Sequence, residues 1–261
     1  MTQAEWIVLC LCAVAALLHG LSGFGFPMMS TAVLSSQYPL SLAVTLVIFP
    51  CLLLNLLMLN ADPQHSLLQS IRYYLKHYWP LILSSLIGSL FGVKLLLWLN
   101  EGYLKLLLGT VIIFYVLDQL RSKPFQSNPH ILSMVCFGLL AGVIGGATNA
   151  MAPFLMMYLL SSQLSKTDIV IISNLNFIVS KLIQLLLLFP ILIQINPQQQ
   201  SILIGITIFA LIGVWIGGKI RHRLSQRHFK FLVLGLLMVL GIQALWQSTA
   251  LLQHSNHLFL N

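Results

Sequence analysis

Two stretches of the sequence repeat one pattern inside hydrophobic segments: HGLSGFGFPMMSTAVLSSQ over residues 19–37 and GGATNAMAPFLMMYLLSSQ over residues 145–163. At one common offset of 126, Pro27 falls on Pro153, Gly20 on Gly146 and Ser35-Ser36-Gln37 on Ser161-Ser162-Gln163. Each stretch puts Gly, Pro, Ser, Thr or Asn where a lipid-exposed helix would have to be continuous. Hydrocarbon offers no partner to a freed N–H or C=O, so irregular backbone at that depth must be buried in protein or line a cavity. Interruptions at corresponding places in two repeats are the sequence mark of a transporter's binding site.

Composition agrees with a membrane setting. The chain is 58% hydrophobic and 7% charged, with a mean hydropathy of +0.93, whereas a soluble domain carries about 25% charged residues. An all-α, multi-pass protein of the cell (inner) membrane follows. The net charge of +8 does not point to nucleic acid. Its 13 Lys and Arg residues sit mainly in short loops, where they orient helices, and no basic tail or aromatic-basic platform is present. Cys10, Cys12, Cys51 and Cys136 lie in apolar runs without CxxC spacing, as packing residues do. No Cys/His cluster has metal-ligand spacing and no P-loop occurs, so neither a metal nor a cofactor is expected. Glu5 precedes the first apolar run with no Lys or Arg beside it, so that run is expected to be retained, unlike a cleaved signal peptide.

Eight apolar segments span about 6–35, 39–60, 78–99, 103–120, 131–160, 169–193, 200–220 and 229–252. A straight crossing needs about 20 residues; segments one and five are longer, and they carry the breaks. The duplication runs on: Gly88-x-x-x-Gly92-x-Lys94 resembles Gly213-x-x-x-Gly217-Gly218-Lys219, and Lys105 falls near Lys230. Two homologous halves follow, 1–120 and 131–261, joined by a polar linker at 121–130 with Lys123-Pro124 and Asn128-Pro129. The small-xxx-small glycines are expected to mark close helix contacts.

Loop charges discriminate two topologies. With eight single crossings and the basic loop 221–230 inside, Arg72, Lys76, Arg121 and Lys123 would lie outside. If segments one and five turn back at their breaks, those residues join Lys166 and the basic loop on the cytoplasmic side, leaving only Lys94 and Lys105 outside. The positive-inside rule prefers the second arrangement. It makes the halves an inverted repeat, as in many secondary transporters. Both termini are then extracytoplasmic, consistent with a tail after Trp246 that holds His254 and His257 but no Lys or Arg.

Chemistry concentrates at the breaks and on segment six. A helix restarting near Pro153 would aim unpaired N–H groups and a partial positive charge at the break. Gly146, Thr148 and Asn149 surround that point. The first break offers Ser22, Gly23 and Gly25, with Ser30 and Thr31 beyond Pro27. Two such N-termini facing each other would hold a small oxyanion. Segment six carries Ser173, Asn174, Asn176, Ser180, Lys181 and Gln184 in an apolar run, so one helical face is polar. Lys181 is too deep to reach either surface, and an intramembrane charge marks function. Asp62, Glu101, Asp118 and Asp168 are all peripheral, which leaves an anionic substrate as its natural partner. The aligned residue in the first half is Asn55, and Thr45 joins it on a weaker polar face. His19, next to the first break, is a candidate for coupling through protonation.

At these residues the chain resembles the sulfite exporter TauE/SafE family of membrane anion transporters. The resemblance rests on Gly20-Leu21-Ser22-Gly23-Phe24-Gly25-Phe26-Pro27, on Gly142-Val143-Ile144-Gly145-Gly146 through Pro153-Phe154-Leu155, and on the Gly-rich ends of segments three and seven. The family's triple glycine is replaced by Phe-Gly-Phe in one half and Thr-Asn-Ala in the other. Membership implies movement of sulfite, organosulfonates or related small anions, coupled to an ion gradient and without enzymatic chemistry. The partners expected are that anion and the lipid bilayer, with no nucleic acid; a homodimer is one candidate assembly, and the sequence leaves the oligomeric state open. Two other readings are a passive anion channel and an intramembrane serine protease using the Gly20-Leu21-Ser22-Gly23 sequence. A protease needs a histidine base near Ser22, for which His19 is the one neighbour.

Overall fold

The computed structural model describes residues 3–59, 67–121, 130–162, 164–220 and 226–259. Among them every regular element is helical: α1 Gln3–Ser22, α2 Phe26–Leu34, α3 Leu40–Leu46, α4 Ile48–Met58, α5 Leu67–Trp98, α6 Glu101–Leu120, α7 Ile131–Thr148, α8 Ala152–Leu159, α9 Lys166–Leu187, α10 Phe189–Leu192, α11 Pro197–Ile220 and α12 Gln226–Phe259. Several sequence expectations fall outside the described residues: Lys123-Pro124, Asn128-Pro129, Asp62, Gln163 and the loop 221–225, together with the side chains of Lys166, Lys230, His254 and His257.

Six of these helices are long and apolar enough to cross a membrane: Gln3–Ser22, Leu68–Trp98, Glu101–Leu120, Ile131–Thr148, Thr167–Leu187 and Pro197–Ile220. The pair α3 and α4, bent by 41°, would make a seventh. The bend has a local cause: Pro50 cannot donate to the carbonyl four residues back, so the helix is interrupted at Val47. The expected segment at 229–252 falls on α12, many of whose side chains lie outside the described residues. The segment at 169–193 divides at Leu188, where Pro190 starts the short α10.

Both expected breaks are present, each for a conformational reason. α1 ends at Ser22, and Gly23 and Gly25 follow with φ of 86° and 106°, values that cost a side-chain-bearing residue but not glycine. α7 ends at Thr148, and Asn149 takes the same left-handed turn with φ 63°, which a short polar side chain tolerates. Gly23 and Asn149 are equivalent at the offset of 126. α2 and α8 then restart with Pro27 and Pro153 in their first turns, where no amide hydrogen is needed.

Polar contacts at the helix ends order the bundle. Tyr38, just after α2, donates to Glu5 near the start of α1 at 3.1 Å, and Gln198 at the start of α11 donates to the same carboxylate. Burial, and then Glu5, push the Tyr38 phenol up to about 12. Beside them Lys105 of α6 donates to the Ser35 carbonyl at 3.0 Å and to Gln247 of α12 at 3.0 Å. Glu101, paired with Lys105 at 3.1 Å, accepts from the Leu40 amide at 3.0 Å. At the other end of α5, Tyr74 donates to Asp168 in the first turn of α9. There the Tyr158 ring of α8 packs on Phe137 of α7 with centroids 6.4 Å apart. α2 and α8 therefore each head back toward the start of the helix before them.

Two close crossings hold the scaffold together. α5 packs on α7 through Gly88, Gly92, Gly142 and Gly146, and α11 packs on α1 through Gly213, Gly217 and Gly20. A Cβ at any of these would collide with the facing helix, in most cases with its backbone. The glycines are thus contact residues, as small-xxx-small spacing implies. Gly218 is the exception, with open space beside it.

Candidate functional site

The polar residues of α9 divide between two faces. Asn176 accepts from Ser85 Oγ at 2.8 Å, and Ser180 pairs with Ser89 at 3.0 Å. These bonds fasten α9 to α5. Ser173 Oγ donates to its own helix at the Ile169 carbonyl, 2.6 Å away. The remaining face carries Asn174, Lys181 and Gln184, all buried.

That face reaches both breaks. Asn174 Nδ2 donates to the Val170 carbonyl at 2.7 Å and the Gly23 carbonyl at 3.3 Å. Two turns along, Lys181 Nζ donates to Asn149 Oδ1 and to Gln184 Oε1, the latter at 2.6 Å. Gln184 Nε2 lies 2.9 Å from Asn149 Oδ1 and 3.1 Å from each of the Gly145 and Gly146 carbonyls. It caps the Gly146 carbonyl at the end of α7 and shares the Gly145 carbonyl with the Asn149 backbone amide, which donates to it at 2.9 Å. Asn149 Nδ2 donates to Thr31 Oγ1 of α2 at 2.7 Å. Thr31, Asn149, Lys181 and Gln184 so form one buried chain from the first half to the second. No carboxylate pairs with Lys181 among the described residues; its recorded partners are neutral amide oxygens.

A cavity of about 10 Å³ lies against this chain, lined by Pro27, Gly145, Asn149, Phe177, Ser180 and Lys181. That is the room of about one water molecule. A larger, mainly apolar cavity of about 200 Å³ runs from the first break toward α6 and α12, past Ser22, Gly25, Met28, Met29, Tyr115 and Gln119.

The expected site residues therefore separate. Thr31, Asn149, Lys181 and Gly146 belong to the buried chain, whereas Asn174 and Gly23 form a separate contact at the first break. Gly146 contributes its carbonyl, while its missing Cβ serves the α5 crossing. Ser22 and Gly25 border the larger cavity. Ser30 is buried on α2 beside Cys12. Thr148 Oγ1 is turned back onto the Ile144 carbonyl at 2.7 Å, and Asn176 faces α5. Gln184 was visible on the polar face but was not among the expected binding residues; its spacing of three from Lys181 is the signal that finds it. Asn55, at Lys181's position in the 126 offset, is fully buried, and neither atom of its amide bonds to another group among the described residues.

His19 is wholly buried at the first break. Its Nδ1 accepts from the Phe26 amide, the first N–H of α2, at 3.4 Å. An accepting Nδ1 places the proton of the neutral ring on Nε2. Ser22 Oγ lies 2.8 Å from the Leu18 carbonyl and 2.7 Å from the Phe24 carbonyl. Its hydrogen is thus committed to backbone, and no bond to His19 is formed.

The family model described as Sulfite exporter TauE/SafE matches residues 8–244 of the chain. No curated protein and no solved structure matches the chain.

Proposed function

This chain belongs to the sulfite exporter TauE/SafE family, whose members are membrane transporters and not enzymes, and from that premise we propose that it is a secondary transporter of a small oxyanion held between its two breaks. The protease reading of Ser22 falls with the family. One observation carries the proposal: the Lys181 ammonium is buried between the breaks with neutral oxygens as its partners. Desolvating a charge is costly, and amide oxygens compensate it only in part. A sulfite, sulfonate or carboxylate oxygen would take the place of the Asn149 and Gln184 oxygens on Nζ and supply the missing negative charge. The freed amides would turn toward the anion as donors. The small volume beside Lys181 supports an occluded state over an open pore, which a channel requires.

In this reading the halves are oppositely inserted and segments one and five turn back within the membrane. The contact of Tyr38 with Glu5 and the packing of Tyr158 on Phe137 support it, because each return helix meets the start of its own segment at opposite ends of α5. Arg72, Lys76 and Arg121 then mark the cytoplasmic face of the inner membrane. His19 is the coupling residue: protonating Nδ1 removes the acceptor of the Phe26 amide and sets a cation at the positive end of α2. Proton binding would thereby loosen the first break.

Uptake by the purified protein in proteoliposomes tests this reading. Sulfite, sulfonates and small carboxylates are offered under an imposed proton or sodium gradient. Gradient-dependent accumulation of one of them is expected. Failure of every anion to accumulate under either gradient overturns coupled transport.

A further inference from the structure

We infer that residues 68–78, the leading part of α5, form a docking surface for anionic phospholipid at the membrane interface. The candidate span Leu68–Trp98 has 31 residues, whereas about 20 cross the hydrocarbon. Counted back from Trp98, the crossing is complete at Trp79, and the earlier residues are surplus. The backbone changes there: Tyr78 leaves helical geometry with φ −116° and ψ 18°. Pro80 follows, which lacks an amide hydrogen and crowds the preceding turn.

The surplus segment has two faces. Ser70 and Tyr74 are buried, and Tyr74 is bonded to Asp168 at the head of α9, so that face is fixed to the protein. On the other face Leu68, Leu75 and Trp79 are 78%, 42% and 57% exposed. Their spacing of seven and four places them in one narrow stripe. Arg72 and Lys76, both exposed, form a second stripe directly beside it, and Tyr73 and His77 stack farther round with ring centroids 4.2 Å apart. No Asp or Glu occurs from 68 to 78. An apolar stripe with cations along one side, and with exposed Trp79 and Tyr73 beside them, is the pattern of a helix lying in the interface. Acyl chains suit the first stripe and headgroup phosphates the second. Charge complementarity selects an anionic lipid over a zwitterionic one, by about fivefold for each cation near the surface. The inference holds whichever face of the membrane is cytoplasmic, and it does not depend on the transported anion.

The test uses the full chain in phosphatidylcholine vesicles with trace spin-labelled phosphatidylglycerol or spin-labelled phosphatidylcholine. The wild type should hold the anionic label several-fold more strongly. Arg72→Gln with Lys76→Gln should abolish most of that preference, while size-exclusion elution stays that of the wild type. An equal preference in the double variant, or none in the wild type, overturns the proposal. Inorganic phosphate at matched ionic strength should leave the wild type's preference for the anionic label in place. Displacement confined to the wild type reassigns the surface to a soluble anion and overturns it.

Discussion

Asn149 donates through Nδ2 to Thr31 Oγ1 at 2.7 Å, so the break of the second half is tied directly to the restarted helix of the first. The two residues are 118 positions apart. The same amide accepts from Lys181 and Gln184 through Oδ1, which makes Asn149 the joint of the buried chain.

Asn149 has a backbone role and a side-chain role that two substitutions separate. Asn149→Gly keeps the left-handed turn at φ 63° and removes only the amide. Its thermal stability should fall by no more than about 1–3 kcal/mol, the range for a lost buried partner, while anion uptake falls at least about tenfold. Asn149→Leu should lose further stability from backbone strain. Equal uptake by Asn149→Gly and the wild type would remove the amide from the transport site.

Lys181→Met preserves length and leaves the bond between Gln184 and Asn149 in place. The protein should therefore fold. Losing a charge-assisted bond to the anion, about 1.5–3 kcal/mol, should weaken apparent affinity by about tenfold or more in the uptake assay. Wild-type concentration dependence in this variant would show that the ammonium does not meet the cargo.

Gly92→Ala should destabilise the protein by about 1–3 kcal/mol through overpacking, because the new methyl meets the Val143 backbone of α7. Gly218→Ala, with open space around it, should keep or slightly raise the melting temperature. Thermal unfolding of the two variants in one detergent decides the matter. A reversed ranking would contradict the close crossing.

Tyr38 predicts a pH effect. Its folded pKa is raised from the ordinary tyrosine value to about 12, so its bond to Glu5 contributes fully below about pH 10 and is lost as pH rises through about 12. Wild-type stability should decline across that window more steeply than that of Tyr38→Phe, which in turn should be the less stable protein near neutrality. Parallel pH profiles of thermal stability would rule out the bond.

The two breaks were legible because lipid forbids irregular backbone, so Gly23, Gly25, Asn149, Pro27 and Pro153 could have few other meanings. The depth of Lys181 was legible from apolar length alone. The segregation of α9 was not: Asn176 and Asn174 are two residues apart with the same chemistry, and only the position of α5 assigns one to scaffold and the other to the first break. Thr148 and Asn149 look interchangeable in sequence, yet one hydroxyl returns to its own helix while the neighbouring amide crosses to Thr31. The extension of α5 to Leu67 was missed because its polar face masks the apolar stripe.

The sequence by itself determined that the chain is an all-helical membrane protein with paired interruptions at one common offset. Hydrophobic length and the cost of unpaired backbone are local properties, written residue by residue. Tertiary structure alone decided which polar groups meet. That depends on the approach of α5 to α7 and of α1 to α11, where missing Cβ atoms let backbones close to contact.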